Sequence, residues 1–188
     1  MLEMKNVTYI YEDQTVALKD ISMDLSKGSC IGIIGSNGAG KSTLFLNFTG
    51  VLKPKQGQIF YDEKPMKYDK ASLRELRKQV SIVFQDPDKQ IFFSKVYDDV
   101  AFALRNLGVD EKEINRRVNI ALASVGAKDF ADKPVHFLSH GQKKRVAIAG
   151  VIAMDSEIIF MDEPSAGLDP VATTQVEEII KSLSEQDR

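Results

Sequence analysis

Ile31-Gly32-Ile33-Ile34-Gly35-Ser36-Asn37-Gly38-Ala39-Gly40-Lys41-Ser42-Thr43 decides how the rest of the chain is read. The apolar run Ile31 to Ile34 predicts a buried strand. A glycine-rich turn follows, and then the apolar start of a helix, Leu44-Phe45-Leu46. The spacing is Gly, four residues, Gly-Lys-Ser, the pattern of a phosphate-binding loop. Gly35, Gly38 and Gly40 permit backbone conformations that a side chain blocks. The N–H groups of Ser36, Asn37, Gly38 and Ala39 can then turn inward as a concave anion site. The helix begins at that site, so its free N–H groups and dipole add to the attraction. Lys41 can reach β- and γ-phosphates, and the Ser42 hydroxyl can ligate Mg²⁺. The bland alternative is an ordinary glycine turn before a helix.

Bulk properties narrow the partners. The chain has 188 residues and a net charge of -2. That length suits one domain with a real core, and the charge gives no strong pull toward nucleic acid or an anionic membrane. Cys30, the single cysteine, reads as a small buried hydrophobe in a reducing compartment. The start, Met1-Leu2-Glu3-Met4-Lys5, lacks the apolar segment of a signal peptide. No run approaches the roughly 20 apolar residues of a membrane span. The expectation is a soluble, cytosolic chain without direct membrane insertion, linked to any membrane through a partner.

Outward from the loop, residues 2–10 read as a strand, as does the alternating stretch Asp20 to Leu25. Lys27-Gly28 reads as a turn, and Gly50 as the close of the first helix. Gln58 to Tyr61 predicts a short strand, Ser72 to Lys78 a helix, and Val80 to Phe84 a strand ending at Gln85. Asp86-Pro87-Asp88 breaks the chain there. From about Val96 to Ala153 the pattern is mostly helical, which marks an inserted helical subdomain. Ser139 can cap the run from Lys143 to Met154. Glu157 to Met161 predicts a second buried strand, ending in Asp162-Glu163-Pro164, and Val171 to Leu183 a last helix.

Strands buried on both faces are typical of parallel sheets, and their carboxyl ends converge beside a phosphate loop. Asp162 there can hold Mg²⁺, which prefers hard oxygen ligands. Glu163 can orient or deprotonate an attacking water. The alternative is a solvated Asp-Glu pair at a strand end.

Leu138-Ser139-His140-Gly141-Gln142 lies 20 residues before Asp162, and Gln85 follows an apolar strand between the phosphate loop and that motif. With these ordered motifs the chain resembles the nucleotide-binding domain of ABC transporters over essentially its whole length. Val83-Phe84-Gln85-Asp86-Pro87-Asp88, Asp98-Asp99-Val100-Ala101-Phe102 and Gln142 to Gly150 resemble the cobalt/nickel importer ATPases of the energy-coupling-factor type. The resemblance implies an α/β phosphate-loop fold with a mixed core sheet, an antiparallel β subdomain and the helical subdomain. In it, about 1–95 and 155–188 form the core and about 96–154 the helical part.

The resemblance also assigns roles. Tyr11 matches the aromatic residue that stacks on adenine, although a strand aromatic packed in the core remains open. Val16 is expected at the base or ribose. Gly35 to Thr43 match the phosphate loop. Gln85 matches the glutamine near Mg²⁺ and the attacking water, Asp162 the Mg²⁺-side aspartate, and Glu163 the general base. Ser139, His140, Gly141 and Gln142 occupy the signature, which in this family binds the γ-phosphate held by another subunit. Ser165 to Asp169 matches a loop that crosses the dimer interface. The implied cofactors are ATP and Mg²⁺. The implied partners are a second ATPase domain, identical or related, and transmembrane subunits. The implied location is peripheral, on the cytoplasmic face of the membrane.

Two departures stand out. His140 replaces a usual glycine and is expected to point its imidazole to solvent. The switch histidine that the family carries after the last helix has no counterpart, since His136 and His140 lie upstream. A truncated domain with impaired hydrolysis is therefore expected. Lys143-Lys144-Arg145 reads as a solvated helix face, and His136 as structural. With two histidines and one cysteine far apart, no transition-metal site is evident. The favoured reading is an importer's ATP-hydrolysing subunit, with cobalt or nickel as cargo recognised by membrane subunits. A vitamin importer of the same type, a soluble non-transport ABC ATPase and a non-hydrolysing nucleotide-binding module are the alternatives.

Overall fold

The computed structural model describes residues 2–26 and 30–185. The chain divides into two compact units, residues 1–80 and 81–188. The first is built on strands β1 (Leu2–Ile10), β2 (Val16–Asp24), β3 (Gln56–Tyr61) and β4 (Lys64–Pro65). They form an antiparallel sheet in the order β2-β1-β3-β4. Met4 sits opposite Met23 on one side and Ile59 on the other. Leu2, Met4, Val7 and Ile59 are buried, as their alternation along the strands requires. A bulge bends β1 at Asn6, whose φ is 48°. Gly57 accommodates it: a Cβ at that position would lie 2.3 Å from the Asn6 carbonyl oxygen.

Helix α1 (Lys41–Phe48) carries Leu44, Phe45 and Phe48 into the interior of this unit. The chain leaves it through Thr49 and Gly50, the latter with φ 66°. Helix α2 (Lys70–Gln79) starts on Asp69, whose carboxylate accepts from Ser72 N at 2.9 Å. Such a cap satisfies one of the free N–H groups of a first turn.

The second unit has β5 (Val80–Val83) hydrogen-bonded to β6 (Ile158–Met161). Around them stand helices α3 (Val96–Leu107), α4 (Glu111–Ser124), α5 (His140–Met154) and α6 (Pro170–Ser184). Helix α5 packs against α3, α4 and α6. One apolar cluster runs from Val83 through Val100, Leu104, Ile114, Leu122 and Ile148 to Val176. Each fully buried Leu or Ile in it contributes about 1.5–3 kcal/mol. The residues at 96–154 and the segments flanking them thus share a core.

Several expectations change. Ile31 to Ile34 is not a strand, and Ile31 and Ile34 are exposed, the latter at 99 %. Among the described residues no strand pairs with it, and an extended run without a ladder partner has no hydrogen bonds to hold it. Cys30, on the same stretch, is exposed rather than buried. The expected mixed core sheet is represented by the β5–β6 pair. With β5 as its neighbour, β6 is less buried than predicted: Phe160 alone of its four residues is fully buried. The Lys27-Gly28 turn lies outside the described residues.

Candidate nucleotide site

In the first unit the residues from Gly35 to Ser42 lie at the surface, while Thr43 is buried under the first turn of α1. Gly38 and Gly40 have φ values of 81° and 89°. Gly40 has a second reason to lack a side chain, because a Cβ there would stand 2.4 Å from the Ala17 carbonyl oxygen of β2. The helix therefore springs directly off the sheet. No side chain among the described residues caps its N-terminus. Such an end attracts anions through its free N–H groups and its dipole. Lys41 curls back over the loop, donating to the carbonyl oxygens of Gly35 at 2.9 Å and Ser36 at 3.2 Å. The lysine is thereby held over the loop whose N–H groups would face a phosphate.

Tyr11 ends β1 on the turn that leads to Val16, and both are exposed. The Tyr11 hydroxyl lies 2.8 Å from the Thr43 hydroxyl. Its ring meets Tyr9 edge-on, with centroids 5.0 Å apart. The aromatic predicted to stack on a base is thus tied to the predicted phosphate loop across 32 residues of sequence. It is not packed in the core.

The second unit gathers the chemistry-bearing polar residues. Asp162 is buried at the end of β6, and its N–H donates to the Val83 carbonyl of β5. Gln85 follows β5, and its amide nitrogen donates to Glu163 Oε2 at 2.9 Å. Two residues 78 positions apart in sequence meet there. Glu163 has φ 43°, in the left-handed region. A non-glycine residue held there stores of order 1–3 kcal/mol of strain, which is found most often at functional sites.

Ser139 begins α5 in a capping box: its hydroxyl accepts from Gln142 N at 3.3 Å, and Gln142 Oε1 accepts from Ser139 N at 2.9 Å. His140 is exposed, but it is not simply free in solvent. A Cβ on Gly167 would lie 3.6 Å from its Nε2. Gly141 is held closer still: its Cβ would come within 2.9 Å of the Ala172 Cβ on α6. The signature thus lies against the loop that ends in Asp169. Asp169 caps α6, accepting from Val171 N and Ala172 N at 2.9 Å each.

The sequence reading of Lys143-Lys144-Arg145 as a solvated face is wrong. Lys144 is fully buried, and it donates to the carbonyl oxygens of Phe84 at 3.1 Å and Gln85 at 2.6 Å. Burial lowers its pKa, opposed by the charges of Asp162, Asp86 and Glu163. Lys143 pairs with Asp88 at 2.7 Å, and Arg145 donates to the carbonyls of Val125 and Gly126. The helical period held the missed signal. Lys144, Ile148 and Val151 share one face at i, i+4 and i+7. Gln90 carries no motif in the sequence. Its amide accepts from Phe84 N and donates to the Ala147 carbonyl, each at 3.0 Å.

The fold is that of phosphate-loop nucleotide-binding domains. A family model described as ABC transporter matches residues 18–166, and the chain belongs to the ABC transporter family. It is 49 % identical over 186 residues to the energy-coupling factor transporter ATP-binding protein EcfA of Methanocaldococcus jannaschii, covering 99 % of this chain and 67 % of the relative. It is 47 % identical over 186 residues to the cobalt import ATP-binding protein CbiO of Salmonella paratyphi A, covering 99 % of this chain and 68 % of that one. Among solved structures, a dimeric ATP-binding cassette in a post-hydrolysis state, bound to ADP and Pi, superposes with a TM-score of 0.89. The identity there is 28 %, and the match covers 100 % of this chain and 84 % of that chain.

Proposed function

We propose that the protein binds and hydrolyses ATP and thereby powers import through a membrane partner. The observation that carries this reading is the hydrogen bond from Gln85 to Glu163, next to the buried Asp162. It joins two groups that hydrolysis would use, a base for water and a polar group beside it, with a buried carboxylate next in the chain available for a cation. In this reading the Gly35–Thr43 loop and Lys41 hold the phosphates, Tyr11 stacks on adenine, and Val16 lies by the base or ribose. Ser42, Gln85 and Asp162 would hold Mg²⁺. Hydroxyl, amide carbonyl and carboxylate are hard oxygen donors, and the amide carbonyl of Gln85 is on the side not donated to Glu163. Mg²⁺, when bound, neutralises charge on the phosphates.

Ser139, His140, Gly141 and Gln142 act in this reading on ATP held by a second copy or a related subunit, with Asp169 in the loop at that interface. The dimeric cassette bound to ADP and Pi supports this assembly by its likeness of fold. The cargo is proposed to be cobalt or nickel; the name of the CbiO relative supports cobalt. The energy-coupling factor name of the EcfA relative states no cargo, and a vitamin is equally consistent with it. The test is reconstitution with the membrane subunits in vesicles. ATP-dependent uptake of labelled cobalt, nickel or a vitamin identifies the cargo. Turnover without any membrane partner in the purified complex would overturn the transport reading.

A further inference from the structure

The segment after β5 needs support that a ladder does not give it. The strand stops at Val83, and the next two carbonyls, of Phe84 and Gln85, both accept from the Lys144 ammonium. Phe84 is held from its other side by Gln90, which is itself anchored on α5 through Ala147. The backbone of Gln85 is therefore fixed from α5, and its side chain reaches Glu163 Oε2 from that fixed backbone. The same helix begins at Ser139, five residues before Lys144. A fully buried ammonium is an expensive support, since desolvation penalises the charge. An apolar residue here, like Ile148 and Val151 on the same face, would fill the space but leave the Phe84 and Gln85 carbonyls without this donor.

We infer that Lys144 is a positioning residue for hydrolysis: it sets the Gln85 backbone so that the Gln85 amide holds Glu163. The inference rests on the functional reading above. It makes the signature helix and the Gln85 loop one mechanical piece. When Ser139 engages a phosphate, any turn of α5 is passed to Gln85 through two hydrogen bonds rather than through loose packing.

The test compares Lys144→Met, Lys144→Arg and Gln85→Ala in the full chain. Methionine keeps the length and apolar body but removes the donor; arginine keeps a charged donor. Lys144→Met is expected to lower kcat roughly ten- to hundredfold, because small misplacements of reacting groups cost that much. The KM and affinity for ATP stay within about twofold of wild type. Lys144→Arg recovers most of kcat. In the Gln85→Ala background, adding Lys144→Met costs little more, since both act on one contact. Unchanged kcat in Lys144→Met, equal loss of kcat and ATP affinity, failure of arginine to rescue, or full additivity with Gln85→Ala each overturns the inference. Amide hydrogen exchange over residues 84–90 provides a readout that needs no turnover. It should quicken in Lys144→Met and return toward wild type in Lys144→Arg, and unchanged exchange overturns the inference. Wild-type protein that fails to turn over ATP defeats the functional reading alone, and the exchange comparison still decides for Lys144.

Discussion

Lys41 is held by the backbone it is proposed to serve. Its contacts to the Gly35 and Ser36 carbonyls keep the ammonium over the loop, so little rotamer entropy remains to be lost when a phosphate arrives. A charge-assisted hydrogen bond to phosphate is worth about 1.5–3 kcal/mol. Lys41→Ala should therefore weaken Mg-ATP binding roughly 10- to 100-fold in a titration followed by calorimetry. Equal affinity in wild type and variant would remove the assigned role. The left-handed turns at Gly38 and Gly40 were readable in the sequence, because they are local backbone conformations that glycine spacing reports. Lys144 was not readable in the same way. Its partners lie 60 and 59 positions upstream, and charge suggests solvent unless the helical period is counted first.

At the scale of the element, α5 carries two duties at one residue. Ser139 caps the helix and is also proposed to bind phosphate in trans. Substitution can separate them. Ser139→Ala should lose about 1 kcal/mol of stability, the usual cost of a lost N-cap. Ser139→Asp should retain the cap, and with it the stability, yet repel a γ-phosphate and abolish ATP-driven pairing. Denaturation curves and sedimentation of the two variants check both claims. A Ser139→Asp protein that still pairs on ATP would place the trans contact elsewhere. Helix α4 offers a pH test. Glu113 accepts from Arg116 and Arg117, and these hydrogen bonds lower its carboxyl from the usual 4.5 to about 2. A depressed carboxyl stabilises the fold above its unfolded value and loses that contribution as pH falls through the folded one. The melting temperature of wild type should exceed that of Glu113→Gln at pH 7, and the gap should shrink between about pH 4.5 and 2. A gap that is constant with pH would mean the pairing adds nothing. The capping signal of α5 at Ser139 was legible because it is contained within a few residues. The extended run at Ile31 to Ile34 was misread because strand formation depends on a distant neighbour, which local apolar character does not report.

For the whole molecule, the arrangement of the signature has the largest consequence. His140 and Gly141 lie against the loop that ends in Asp169, so the proposed pairing surface and the proposed trans site are one continuous feature. A ligand that is held between two copies links binding to association by mass action. Glu163→Gln keeps the shape of the proposed base and removes its proton-accepting capacity, a loss typically worth 10²–10⁴ in rate. In that variant, ATP should stay intact and the protein should sediment as a dimer, with dimer fraction rising with both ATP and protein concentration. A variant that remains monomeric at saturating Mg-ATP would separate ATP binding from pairing. The order of motifs along the sequence was sufficient to expect this assembly. The approach of His140 to Gly167 was not legible, because it arises from a helix start and a loop brought together by the packing of α5 on α6.

The left-handed backbone at Glu163 has an outcome for anyone who evolves this protein in the laboratory. Asparagine and glycine adopt φ near 43° with less strain than glutamate does. A library randomised at position 163 and sorted only for resistance to heat should therefore enrich those two residues. The survivors would be hardy and inert, so a selection scheme for this chain has to score turnover alongside endurance.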